Sequence, residues 1–176
     1  MKKLHLLIIA LFTVCLLHAQ RPEEKPKVFI MVNNTPAAMT KVTTQTEVKR
    51  GWEIQGITVG KKNIRYIWGQ HSKQLTEVKP TFAIYPTTEN LNDYAVIRMK
   101  NRPDHRAMPS AELKDCNYKR VELAHFKIEN LPDMGFAVTP LEPLFYGEYI
   151  LVNLAQKPVN EQGDIEVYDF RVVKQL

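Results

Sequence analysis

Cysteine is nearly absent: the 176 residues hold two, Cys15 and Cys116. Cys15 lies inside an apolar N-terminal run, so a chain trimmed of that run keeps one thiol, has no internal disulfide and depends on packing for stability. A lone cysteine reads first as a small buried hydrophobe, then as an intermolecular disulfide, and last as a reactive thiol, since nothing near Cys116 resembles an activated pair. Glycine is scarce, at seven residues against eleven prolines. That balance suits strands joined by stiff connections. No period of 20–50 residues marks a repeat array. Charge of one sign is also in short supply. The formal charge of +5 falls to +3 once Lys2 and Lys3 are removed with the leader, too small a surplus for a nucleic-acid binder with a concentrated basic face.

The only long apolar run is at the N-terminus. Met1-Lys2-Lys3 leads into residues 6–17, and Leu17-His18-Ala19 follows before Gln20. A basic start, a short greasy middle and small residues at the end form a secretory signal peptide, residues 1–19, with cleavage expected after Ala19. The run is too short to span a bilayer, so no transmembrane span is expected after cleavage. Phe12-Thr13-Val14 lacks the small residue that acylation of Cys15 would need. Residues 20–26 carry two prolines and read as a tether. Residues 27–176 read as one domain, since about 100–200 residues suffice for one.

Within that domain the apolar stretches are brief. Residues 28–32 are rich in strand-forming side chains and end at the turn cluster Asn33-Asn34-Thr35-Pro36. Similar runs occupy 41–48, 52–59, 64–68, 81–85, 94–99, 120–128, 136–139, 149–154 and 165–173. Alternation places Ala95, Ile97 and Met99 opposite Arg98 and Lys100, and Tyr168, Phe170 and Val172 opposite Asp169 and Arg171. In 120–128 the inward phase shifts near Ala124 or His125, which a bulge would accommodate. Prolines 80, 86, 103, 132, 140, 143 and 158 mark strand ends or edges. The only helical candidate is a short turn over 109–115. The predicted fold is an all-β, mostly antiparallel sandwich.

Pro143-Leu144-Phe145-Tyr146-Gly147-Glu148-Tyr149-Ile150-Leu151-Val152 is the most informative segment. It resembles the tyrosine corner of immunoglobulin-like and fibronectin-type sandwiches, with Leu144, Gly147 and Tyr149 as the corner residues. The resemblance implies that the Tyr149 hydroxyl bonds back to the main chain a few residues upstream. It also implies that 165–173 pairs with 149–154 across a hairpin loop. With Tyr168-Asp169-Phe170-Arg171-Val172, the C-terminal third is similar to a loose set of bacterial exported β-sandwich domains with no settled activity. The paired cysteines of antibody domains are missing, and Leu151 stands where one would be.

Chemistry is sparse. Zinc needs three or four well-spaced ligands, but His71, His105 and His125 show no ligand spacing, and Arg102 and Arg106 flank Asp104-His105. No metal and no cofactor is therefore expected. There is no Gly-x-Ser-x-Gly elbow, and adjacent His71 and Ser72 would point to opposite faces of a strand. Gly56 to Lys62 has the wrong spacing for a phosphate loop. Glu47, Glu53, Glu122 and Glu129 are ordinary strand carboxylates. An exported hydrolase using carboxylates or Cys116 is the least supported reading.

A candidate binding surface remains: Arg98, Lys100, Arg102 and Arg106, with Trp68 nearby. If extension persists, Arg98, Lys100 and Arg102 line one face over about 13 Å and could meet an acidic glycan, a lipid headgroup or an acidic protein. Among Trp52, Tyr66, Trp68, Tyr85, Tyr118 and Tyr146, those not in the core would stack on sugars. The function expected is a non-catalytic binding or assembly module, periplasmic or at the cell surface, with an envelope protein as partner. A carbohydrate-binding module using exposed aromatics beside the basic strip is the alternative.

Overall fold

The computed structural model describes residues 28–32, 35–49, 52–54, 57–59, 62–85, 91–108, 120–122, 126–132 and 135–174. The expected signal and tether, Cys116, Tyr118, His125 and the helical candidate at 109–115 lie outside them. The strands are β1 (Val28–Val32), β2 (Thr35–Ala38), β3 (Lys41–Thr43), β4 (Gln45–Lys49), β5 (Trp52–Ile54), β6 (Ile57–Val59), β7 (Lys62–Trp68), β8 (Leu75–Thr76) and β9 (Phe82–Ile84). After a 3-10 turn at Leu91–Asp93 come β10 (Tyr94–Arg98), β11 (Lys100–Asn101), β12 (His105–Ala107), β13 (Arg120–Glu122) and β14 (Phe126–Asn130). The last are β15 (Phe136–Pro140), β16 (Gly147–Asn153) and β17 (Glu166–Val172). The molecule is all-β, mostly antiparallel and sandwich-like.

The strands form a five-stranded sheet (β14-β15-β9-β1-β2), a six-stranded sheet (β13-β10-β16-β17-β3, with β8 also on β17), a four-stranded sheet (β11-β12-β7-β4) and the β5-β6 pair. Among the described residues the pairings are antiparallel except that of β8 with β17. Edge position explains Pro36: β2 borders its sheet, where a residue without an N–H breaks no central ladder.

Two separate cores reveal how the layers stack. Val28, Ile30, Phe82, Ile84 and Val138 of the five-stranded sheet pack with Tyr94, Val96, Tyr149, Leu151, Phe170 and Val172 of the six-stranded sheet. The alternate residues of those same central strands, Ile97, Ile150, Val152 and Val167, pack instead with Ile67 and Met108 of the four-stranded layer. Successive side chains point to opposite faces, so the six-stranded sheet is covered on both sides. This explains why Leu151 and Ile150, neighbours on β16, are both fully buried.

The third layer arises because chains change sheets. The predicted strand 41–48 divides at Thr44: β3 pairs with β17, whereas β4 pairs with β7. Thr44 receives the Ile165 N–H on its hydroxyl at 3.0 Å and donates its own N–H to the Ile165 carbonyl at 2.9 Å. The predicted strand 94–99 likewise leaves the central sheet at Met99, and β11 joins β12. The predicted run 120–128 supplies β13 to the central sheet and β14 to the five-stranded one. Residues 123–125, where the change of inward phase is expected, lie outside the described residues, and of the pair expected to face inward Phe126 is buried but Ile128 is 42% exposed.

Candidate functional site

Glu148 sits on β16 on the face shared with Ile150 and Val152, where the third layer covers the central sheet. It is 1% exposed. A buried carboxylate needs compensation, and Glu148 has it on every side. Its Oε2 accepts the Ser72 backbone N–H at 2.9 Å and lies 3.5 Å from Arg106 Nη1. Its Oε1 lies 2.9 Å from His71 Nδ1 and 3.4 Å from Arg171 Nε. Arg106 reaches the cluster from β12 and donates to Asp169 of β17 at 2.5 Å and to the Gly69 carbonyl at 3.1 Å. The Ser72 hydroxyl donates to the Asp169 carbonyl at 3.2 Å. Each acid is matched by an arginine, which makes the cluster a clamp joining β12, β16, β17 and the 69–74 turn. Removing one partner of such a buried pair costs about 3–5 kcal/mol.

Beside this clamp lie two adjoining shallow depressions of about 410 and 380 Å³, which share Asn101, Tyr146, Gly147 and Glu148. Arg98 and Lys100 line one, and Arg171 and Lys174 the other. Above them the Tyr149 hydroxyl donates to the Phe145 carbonyl, four residues upstream, at 2.8 Å. The Tyr149 ring stacks on Phe170 at 5.5 Å. Burial pushes the Tyr149 phenol above its usual range, against the opposing influence of Arg98 and of the bond to Phe145. Leu144 is buried, and Gly147 adopts φ +147°, where a Cβ would also come within 3.3 Å of Arg98 Nε.

The outer face of the third layer carries a second constellation. Tyr66 and Trp68 share one face of β7, and β4 and β12 bring Gln45 opposite Tyr66 and His105 opposite Trp68. Gln45 Oε1 accepts both the Trp68 indole N–H at 2.7 Å and the Tyr66 hydroxyl at 3.1 Å. The two rings stand edge to face at 86° with centroids 5.2 Å apart, and the His105 ring lies 5.1 Å from Tyr66. Asp104 Oδ1 holds His105 Nδ1 at 2.6 Å. Trp68 nevertheless remains 55% exposed.

The predicted basic residues separate into three places. Lys100 lies opposite Ala107, itself opposite Tyr66. The Arg102 N–H reaches the His105 carbonyl at 2.8 Å. Alternation therefore puts Lys100 and Arg102 on the aromatic face. Arg98 is elsewhere, donating to the Tyr146 carbonyl at 2.9 Å with its guanidinium 5.8 Å from the Phe145 ring centre. Arg106, one residue out of phase with His105, points inward and is 3% exposed. The straight strip does not form, because the chain changes sheet at Met99 and turns back at residues 102–105.

Other candidates are dispersed. Tyr85 packs edge-on against Phe29, and Tyr146 is exposed on a different loop. Glu47 and Glu129 are exposed on different sheets, with Glu129 2.9 Å from Lys127. Among the described residues, no group of three metal-ligating side chains gathers, and no helix is long and apolar enough to cross a membrane. Sequence reasoning missed Glu148 and Gln45. The signal for Glu148 was a lone charge in phase with Ile150 and Val152. Gln45 offered none until pairing placed it beside the rings. No protein-family model matches the chain, and neither a curated protein nor a solved structure shows significant similarity to it.

Proposed function

We propose that the protein is an exported, non-catalytic binding module of the cell envelope that recognises an anionic carbohydrate on the outer face of its third sheet. The carrying observation is the double hydrogen bond to Gln45 Oε1, which fixes Tyr66 and Trp68 at a right angle while leaving Trp68 in solvent. Rings held in place before binding lose little freedom when a ligand arrives. An exposed indole face suits the C–H side of a pyranose ring, and hydroxyls around the sugar would meet Gln45, His105 and Asp104.

Lys100 and Arg102 give the ligand its charge. Lys100 lies two strands from Tyr66, about 10 Å at the spacing of paired strands, within the span of a disaccharide carrying a uronate or sulfate. Export rests on the leader at residues 1–19. The bond from Tyr149 to Phe145 supports kinship with immunoglobulin-like sandwiches. An envelope-protein partner is the other binding reading. It draws on Arg98, which lies with Phe145 rather than on the aromatic face, and so receives less support.

A glycan array with the mature chain tests this reading. Binding to uronate-bearing or sulfated glycans should vanish in Trp68→Ala with the fold intact. In Lys100→Gln/Arg102→Gln it should weaken and lose much of its salt dependence. Silence across acidic and neutral glycans by a folded protein would end the proposal. So would recovery of a stoichiometric envelope protein whose binding depends on Arg98, Lys100 and Arg102.

A further inference from the structure

The loop between β15 and β16 displays three large apolar side chains: Leu141 is 55% exposed, Phe145 76% and Tyr146 53%. Single exposed apolar residues are commonplace, but these three lie within six residues of a loop that is fastened down. The Leu144 N–H donates to the Val78 carbonyl at 2.7 Å and its side chain is buried. Lys79 Nζ holds the Leu141 carbonyl at 2.9 Å, and Arg98 holds the Tyr146 carbonyl at the same distance. Tyr149 holds the Phe145 carbonyl. Nothing in this backbone needs Phe145 to face water.

The fastening groups include cations. Lys79 and Arg98 grip the base of the loop, and Arg171 and Lys174 line the depression that borders Tyr146. One exposed acid, Glu142, lies within the loop, against these cations around it. From this juxtaposition we propose that the 141–146 loop is a membrane-surface anchor, inserting Leu141, Phe145 and Tyr146 at the interface of an anionic phospholipid bilayer while the surrounding cations meet the headgroups. Shape and size favour a bilayer over a protein. A protein interface needs about 800 Å² per partner around a desolvated centre, whereas this apolar surface is one loop wide. Interfacial attachment needs only a few apolar side chains, aromatic ones above all, with cations beside them. Residual attraction to phospholipid would keep an exported module at the membrane without a span or an acyl chain. The proposal is independent of the glycan reading, because Trp68 and Gln45 take no part.

Co-sedimentation of the mature chain with large vesicles tests it, using phosphatidylcholine alone and phosphatidylcholine mixed with phosphatidylglycerol, at low and high salt. The protein should bind the phosphatidylglycerol vesicles, and the interaction should fade as salt rises. Phe145→Ala/Tyr146→Ala keeps both carbonyls and hence the pins, and should lower the affinity about tenfold or more. Lys174→Gln should lower it about fivefold, since each cation at an anionic surface contributes roughly that factor. Thermal melts confirm that each variant is folded, and Trp68→Ala should bind vesicles as the parent does. Absence of vesicle binding by the folded parent would overturn the proposal. So would binding unaffected by the double variant, or a loop-dependent protein partner in place of the lipid.

Discussion

At the residue scale the Tyr149 hydroxyl ties the loop before β16 to the core that β16 helps to build. Its proton favours the folded state, because burial disfavours the phenolate more than Arg98 and the Phe145 bond favour it. Below about pH 10, where an unfolded tyrosine is neutral, this contribution is complete. At higher pH the unfolded chain releases the proton first, so stability falls as the pH climbs towards the raised folded value. Tyr149→Phe should lose about 1 kcal/mol near neutrality and show a shallower alkaline decline, measured by urea unfolding at pH 8 and pH 10.5. This corner was legible in the sequence because its partner is four residues away and local geometry brings them together. Arg106 was not legible. Reading it as exposed assumed an uninterrupted strand from Arg98, and its inward direction follows from a turn at 102–105 that places it one residue out of phase with His105.

At the element scale the informative features are the interruptions. Thr44 and Met99 each end one pairing and begin another, and this lets two strands serve both the central sheet and the third layer. The Thr44 hydroxyl takes the place of a ladder carbonyl for the Ile165 N–H. Thr44→Val keeps the shape but strands that donor beside a residue that is 2% exposed, and an unsatisfied buried donor costs about 1–3 kcal/mol. The loss should appear as a lower denaturant midpoint with an unchanged slope. Thr44→Ser, which retains the oxygen, should recover most of it. Most predicted runs became strands because their alternation and flanking turn residues are local signals. The short strands Leu75–Thr76, Lys100–Asn101 and His105–Ala107 carry too few residues to show a period, and only partner strands define them.

At the scale of the whole molecule, a two-layer sandwich accounts for the first core but leaves Ile97, Ile150, Val152 and Val167 without cover. Those residues were visible as apolar. Ile97 read as part of one apolar face opposite Arg98 and Lys100, and the second covering layer was hidden because sequence alternation does not record how many sheets a strand lies between. The same ambiguity concealed the clamp: Asp169 and Arg171 look like a solvated face until β12 is laid over them. Trp68 was legible as an aromatic, but its fixed posture depends on β4 crossing into the third layer.

The doubly covered sheet also gives the molecule a spine. Either outer layer can open and reclose while the middle strands keep one dry side, so the protein should yield in stages rather than dissolve at once. Deuterium uptake should therefore be slowest at Ile150, Leu151 and Val167 and faster in both flanking sheets. Equal uptake across all three layers would mean that the two oily seams act as one. A substitution that loosens the aromatic face would then leave the opposite seam closed, and the proposed binding face could vary without unravelling the strands beneath it.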